Sequence, residues 1–124
     1  MFALNAPGPI VKKDAVDLIE EKHDEVIIFR LGGRLDSTTS SMLEEKITEA
    51  FKNGVNKIIL NLKNIEYISS AGLRVFKKIR AAQGPDDTII LCSVADYIQE
   101  FIELSGVDIY LPIVGTKEEA LKKI

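Results

Sequence analysis

The stretch IILNLKNIEYISSAGLRVF, residues 58–76, contains the features that decide the fold. Its first half is a nearly continuous apolar run, which is typical of a strand buried on both faces of a parallel sheet. Its second half has apolar residues at helical spacing and predicts a helix from about residue 71 to residue 82. Ser69 and Ser70 stand between the two halves, followed by the small residues Ala71 and Gly72. The stretch therefore predicts a strand, an open turn and a helix.

The flanking sequence predicts an α/β domain that opens with a β-hairpin. Helices and strands then alternate along the chain. In chain order, the other expected elements are strands at 15–21 and 25–31, a helix from Asp36 to Gly54, a strand at 88–92, a helix at 95–104, an extended segment at 109–114 and a helix after Thr116. Because strand–helix–strand units are parallel and right-handed, we expect a mixed sheet of four to five strands with helices mainly on one face.

The boundaries and the core follow from the same patterns. Residues 1–14 contain two prolines and a glycine and show no period, so they predict a loose lead-in to a domain at 15–124. Two polar loops, at 32–39 and 65–72, are expected at the carboxyl ends of the strands, where such sheets carry their functional sites. The residues expected in the core are Ile28, Ile59, Leu60, Phe76, Ile79, Ile90 and Phe101.

Composition excludes several classes of function. The chain has 124 residues with 19 acidic and 16 basic side chains, and this mild negative charge argues against nucleic acid as a partner. The single cysteine, Cys92, lies in an apolar run and predicts a small buried side chain in a reducing, cytoplasmic compartment. No apolar run approaches the roughly 20 residues that span a bilayer, so no membrane insertion is expected.

The sequence offers little for catalysis. His23 is the only histidine, and neither Cys-x-x-Cys nor His-x-x-x-His occurs, so no metal site and no cofactor are expected. Around Ser70, a hydrolase nucleophile elbow would need glycines at positions 68 and 72, but position 68 is Ile68. We therefore expect a protein that is not an enzyme. At the helix start, Ser69 or Ser70 either caps the helix or, for Ser70, accepts a phosphate that the helix N-terminus would stabilise.

Two motifs carry a resemblance to a known family. The stretch at 58–76 resembles the signature of STAS domains, which include bacterial anti-sigma factor antagonists and the cytoplasmic tails of sulphate transporters. GGRLDSTTS, residues 32–40, resembles the Gly-x-Leu-Asp loop before the first helix of that family. The resemblance extends over about residues 15–124 and implies a STAS-like fold.

The resemblance also implies roles for individual residues. It places the phosphate acceptor of the antagonists on Ser70 and their loop aspartate on Asp36. The chain departs from the pattern at three positions: Ser69 replaces an acid, Ala71 replaces a second hydroxyl residue, and Arg74 replaces a frequent glycine. The expected partner surface consists of Asp36, Ser37, Thr39, Ser69, Ser70, Ala71, Gly72 and Arg74.

The implied function is that of a binding switch. An anti-sigma factor antagonist sequesters an anti-sigma factor that is also a serine kinase, and so releases a sigma factor. Phosphorylation of Ser70 would end that complex, and a phosphatase would restore it. The alternatives are a non-phosphorylated STAS adaptor that docks on a transporter ATPase, and a STAS domain that acts as a scaffold or senses a ligand.

Overall fold

The computed structural model describes residues 10–13, 16–107 and 111–124. The strands are β1 (Ile10–Lys13), β2 (Val16–His23), β3 (Val26–Leu35), β4 (Lys57–Ile68), β5 (Thr88–Cys92) and β6 (Ile113–Val114). The helices are α1 (Ser37–Lys52), α2 (Ser70–Ala82), α3 (Asp96–Ser105) and α4 (Lys117–Lys123). None of the described helices is long and apolar enough to cross a membrane.

The strands form one mixed sheet in the order β1-β2-β3-β4-β5-β6. The pairs β1–β2 and β2–β3 are antiparallel, whereas β3 to β6 run parallel. The expected α/β architecture with an opening hairpin is confirmed, but the described residues form a sheet of six strands rather than four to five. The additional strand, β1, lies within the expected lead-in. The sequence of β1, IVKK, begins with two β-branched residue types, which are enriched in strands.

Helices cover both faces of the sheet unequally. The larger core lies between the sheet and α1, α2 and α3, and contains Phe29, Leu60 and Phe76. On the opposite face, α4 packs Ala120 against a smaller cluster that includes Ile59. Three of the four helices among the described residues therefore share one face, as expected.

Both strands that lead to the candidate site are longer than the sequence indicated. β3 continues through Gly32 and Gly33 to Leu35. Gly33 adopts a φ of 90°, and the β3–β4 register shifts once before Gly32 and once after Gly33, which keeps the two strands paired. β4 continues to Ile68, with Ile65 and Ile68 buried. Half of each expected loop, residues 32–35 and 65–68, is therefore strand, and each helix begins after a single capping residue.

One expected core residue was placed wrongly. Six of the seven are buried, but Phe101 is 38% exposed. The buried residues of α3 are Ile98 and Ile102, four residues apart, and Phe101 falls beside that narrow stripe. Within the expected extended segment 109–114, residues 109 and 110 lie outside the described residues.

We expect Ile59→Ala to lower the free energy of unfolding by about 2–5 kcal/mol, because the side chain is fully buried and its removal leaves a cavity. Leu104→Ala is the matched control, since Leu104 is 83% exposed and should change stability by less than about 0.5 kcal/mol. Urea denaturation of both variants measures the difference. A loss below about 1 kcal/mol for Ile59→Ala would contradict the assigned packing.

Candidate functional site

Helices α1 and α2 begin side by side at one end of the sheet. Leu35 and Ile68 are paired residues at the ends of the parallel strands β3 and β4. The next residues, Asp36 and Ser69, therefore leave the sheet at the same edge. The backbone N–H of Ser69 donates to the Leu35 carbonyl oxygen over 3.0 Å, which joins the two helix starts directly. The expectation that the Asp36 loop lies beside Ser70 is confirmed.

The start of α1 is held by Asp36 and Thr39. The Asp36 carboxylate accepts hydrogen bonds from the backbone N–H groups of Thr38 at 3.1 Å and Thr39 at 3.2 Å. In return, the Asp36 backbone N–H donates to the Thr39 hydroxyl, which itself donates to the Arg34 carbonyl oxygen, both at 2.9 Å. Together these contacts form a capping box that fixes the position of the carboxylate.

The capping contacts also set the charge of Asp36. The hydrogen bond from the Thr39 backbone N–H is the main cause that lowers the pKa of the Asp36 carboxyl group, and desolvation opposes it in part. The side-chain hydrogen bond from Thr39 lowers the pKa further. Asp36 therefore presents a negative charge at neutral pH, beside the start of α2.

The start of α2 distinguishes the two serines. The Ser69 hydroxyl accepts a hydrogen bond from the backbone N–H of Gly72 at 2.9 Å, so Ser69 is the N-cap. Ser70 is the first helical residue and is exposed. Its hydroxyl makes no hydrogen bond to any described residue. The sequence left open whether Ser69 or Ser70 caps α2, and the structure assigns the cap to Ser69.

Thr39 and Gly72 have internal roles, which corrects their expected place on the partner surface. Thr39 is only 1% exposed, because its hydroxyl is enclosed by the capping box. Gly72 is buried, and a Cβ at that position would collide with the Leu35 carbonyl oxygen and lie 2.9 Å from the Leu35 carbonyl carbon. The close approach of the β3 backbone therefore explains why residue 72 is glycine.

The other expected site residues lie at the surface. Ser37, Ser70 and Arg74 are exposed, and Asp36, Ser69 and Ala71 are partly exposed. Ser37, Ala71 and Arg74 line one groove between α1 and α2. The structure thus brings these residues together, and their part in partner binding stays a prediction.

A second groove adjoins Ser70 and was missed in the sequence. This α2–α3 groove has a volume of about 350 Å³ and is lined by Ser70, Leu73, Arg74, Lys77, Phe101, Leu104 and Ser105. A signal was present, because α3 has five apolar or aromatic residues among ten, more than one buried stripe needs. The expectation that Phe101 is buried in the core leaves no apolar residue of α3 for this groove except Tyr97 and Leu104, whereas the structure exposes Phe101 as well.

The described residues offer little other chemistry near this site. Among them, no group of His, Cys, Asp or Glu side chains could hold a metal ion. Cys92 is buried, as expected, and burial raises the pKa of its thiol. The site is therefore a surface made of two helix starts, with the fixed carboxylate of Asp36 at α1 and the exposed hydroxyl of Ser70 at α2.

Comparisons with known proteins agree on one family. A family model described as the STAS domain matches residues 18–120. The protein BtrV of Bordetella bronchiseptica is 32% identical over 107 residues, which covers 83% of this chain and 90% of BtrV. The anti-sigma F factor antagonist of Paenibacillus polymyxa is 31% identical over 109 residues, which covers 84% and 91%. A solved anti-sigma factor antagonist from Mycobacterium paratuberculosis shares the fold, with a TM-score of 0.82 at 22% identity over 89% of this chain and 94% of that one.

We expect Gly72→Ala to lower the free energy of unfolding by about 1–3 kcal/mol, because the added methyl group meets the Leu35 backbone. In an unobstructed helix the same change would stabilise by about 0.5–1 kcal/mol, so the sign is diagnostic. Ser70→Ala, two residues earlier and exposed, is the control and should stay within about 0.5 kcal/mol of the native chain. Thermal or urea melts that show a stabilised Gly72→Ala variant would refute the close approach.

The pH dependence of stability tests the Asp36 cap. Because folding lowers the pKa of Asp36, its contribution is complete above the ordinary value of 3.8 and is lost as the pH falls through the folded value. Asp36→Asn keeps a capping side chain but cannot titrate. We expect the native chain's advantage over Asp36→Asn to shrink below about pH 4 in urea melts. A constant difference between pH 7 and pH 2 would show that the carboxylate is not the acceptor.

Proposed function

The chain belongs to the STAS domain family, and from this premise we propose that it is an anti-sigma factor antagonist switched by phosphorylation of Ser70. In this role it sequesters an anti-sigma factor, which is also its serine kinase, and so releases a sigma factor. A phosphatase restores the unphosphorylated form. The chain itself acts by binding in the cytoplasm and catalyses no step.

The observation that carries the proposal is the free hydroxyl of Ser70. Ser69 caps α2, so Ser70 is not needed to satisfy the backbone of the helix. Ser70 is exposed and points its hydroxyl to no described partner, which leaves it accessible to a kinase. Ser69 is the adjacent competitor, but its oxygen already accepts the Gly72 N–H. This difference favours Ser70 as the acceptor.

The helix start can hold the phosphate without loss of the fold. Phosphorylation adds about −1.5 to −2 charges at neutral pH. Free N–H groups and the positive end of the helix dipole favour an anion there, by about 0.3–1 kcal/mol. The fold therefore tolerates a phosphate on Ser70.

A bound partner would not tolerate the same charge. The fixed carboxylate of Asp36 lies at the neighbouring helix start, so a phosphate on Ser70 makes this surface strongly negative. A partner surface that matched a neutral hydroxyl would then meet a large, charged group. A 100-fold loss of affinity requires only about 2.7 kcal/mol, which one such mismatch can supply.

The departure at Ser69 is compatible with the switch. The resemblance implies an acid at this position, and both aspartate and serine are good N-caps. Ser69 therefore keeps the structural part of that role and removes one negative charge next to the acceptor. Ser69→Asp restores the acid, keeps the cap and cannot itself be phosphorylated, which makes it a matched control for the site of modification.

We expect the cognate anti-sigma factor kinase, purified and incubated with the chain and Mg-ATP, to add one phosphate to Ser70. Mass spectrometry should find it in the native chain and in Ser69→Asp, and find none in Ser70→Ala. In calorimetric titrations, Ser70→Ala should bind the kinase with and without ATP, whereas ATP should release the native chain. The removed hydroxyl is exposed and does not cap the helix, so the variant should fold normally.

Two results would overturn this assignment in different ways. Phosphate on Ser69 of the native chain, with none on Ser69→Asp, would move the acceptor by one residue. No phosphate on any variant, together with binding that ignores ATP, would favour the adaptor that docks on a transporter ATPase.

A further inference from the structure

The α2–α3 groove has an apolar floor that the fold leaves open. Leu73 lies on its α2 side, and Phe101 and Leu104 lie on its α3 side. Phe101 is 38% exposed and Leu104 is 83% exposed, so neither side chain is used in the core. Large apolar side chains gathered along one groove are typical of a surface that binds another protein.

The same groove has a distinctly basic rim. Arg74 and Lys77 line it, and none of its described lining residues is acidic, although the chain as a whole has a formal charge of −3. Neither cation forms a salt bridge with a described residue. The groove is therefore complementary to a segment that combines apolar side chains with carboxylates.

Arg74 also stands next to the proposed phosphate acceptor. Ser70 and Arg74 are four residues apart in α2, so their side chains lie on the same helical face. Both line the α2–α3 groove, with Ser70 at the helix start. Arg74 further lines the α1–α2 groove, where Glu44 and Lys78 form a salt bridge at 3.7 Å, so that nearby acid already has a cationic partner.

We propose that the α2–α3 groove docks an acidic, apolar segment of the anti-sigma factor, and that phosphoserine at position 70 releases it by capturing Arg74. This inference rests on the proposed function and adds a mechanism to it. In the unphosphorylated antagonist, Arg74 pairs with a carboxylate of the docked segment while Phe101 and Leu104 contact its apolar side chains. After phosphorylation, Arg74 pairs with the phosphate of its own helix.

Physical chemistry favours the phosphate in that competition. A guanidinium group forms paired, charge-assisted hydrogen bonds with phosphate, which carries more charge than a carboxylate. The phosphate is held on the same helix, so it competes as an intramolecular ligand at high effective concentration.

The first test needs no partner. Phosphoserine is incorporated at position 70 by an expanded genetic code, and ³¹P NMR follows its second ionisation with pH. We expect the phosphate pKa to lie about 0.3–0.7 lower in the native background than with Arg74→Gln, which keeps length and helix propensity but removes the charge. Lys122→Gln, an exposed change on α4, is the charge-matched control and should leave the pKa unaltered. Equal values in the native and Arg74→Gln backgrounds would refute the capture of Arg74.

The second test is a double-mutant cycle with the purified anti-sigma factor kinase in calorimetric titrations. Arg74→Gln and Leu104→Asp should each weaken binding of the unphosphorylated chain about 5-fold or more, and Lys122→Gln should not. The factor by which phosphorylation weakens binding should be about 5-fold smaller in Arg74→Gln than in the native chain. The reason is that docking of the segment and capture of the phosphate both use Arg74. Additive effects, or groove variants that bind normally, would overturn the proposal.

Two other outcomes separate the proposal from the function on which it rests. A kinase that phosphorylates Ser70 and binds groove variants normally would refute the groove and leave the switch intact. Self-association of the chain that Leu104→Asp abolishes, measured by sedimentation, would assign the groove to a second copy and so overturn the docking proposal. Circular dichroism of each variant confirms that the fold is retained.

Discussion

The close packing of the first turn of α2 on the end of β3 is the constraint on which the site depends. Gly72 lies against the Leu35 backbone, and the Ser69 N–H donates to the Leu35 carbonyl oxygen at 3.0 Å. Parallel pairing of β3 and β4 brings Leu35 and Ile68 to the same level, so two helices must begin at adjacent points. A charged cap on one helix and a free hydroxyl on the other then face the same solvent region.

Because of this packing, neighbouring residues at the two helix starts have different roles. Ser69 and Asp36 serve as caps, Thr39 and Gly72 are buried beneath the surface, and Ser70 is left without a structural task. A side chain without a structural task can change its charge while the helix beneath it stays in place. The switch proposed for this chain is therefore a change of surface charge on a fixed framework, and needs no rearrangement of the sheet.

The sequence predicted the architecture well because local patterns and the sheet connections agree. Thr116 caps α4 and Gly106 ends α3, as their residue types indicate. The predictions that were wrong concerned features that depend on contacts between distant segments. The strand through Gly33 needed a bulge that only pairing with β4 reveals, and Phe101 was given to the core because a helical period cannot tell which edge of a wide apolar stripe is covered. The sequence placed Gly72 on the partner surface, but a glycine is required there by the backbone of Leu35, which lies 37 residues earlier in the chain.

The most direct test of a fixed framework is a comparison of amide NMR spectra with serine and with phosphoserine at position 70. The account predicts that chemical-shift changes stay within the first turns of α1 and α2, about residues 36–41 and 69–74, and along the α2–α3 groove. Amides of β4, β5 and α4, which lie in the cores on the two faces, should keep their positions. Shifts spread throughout those core strands would contradict the account, because they would show that the phosphate reorganises the fold rather than the charge of one surface.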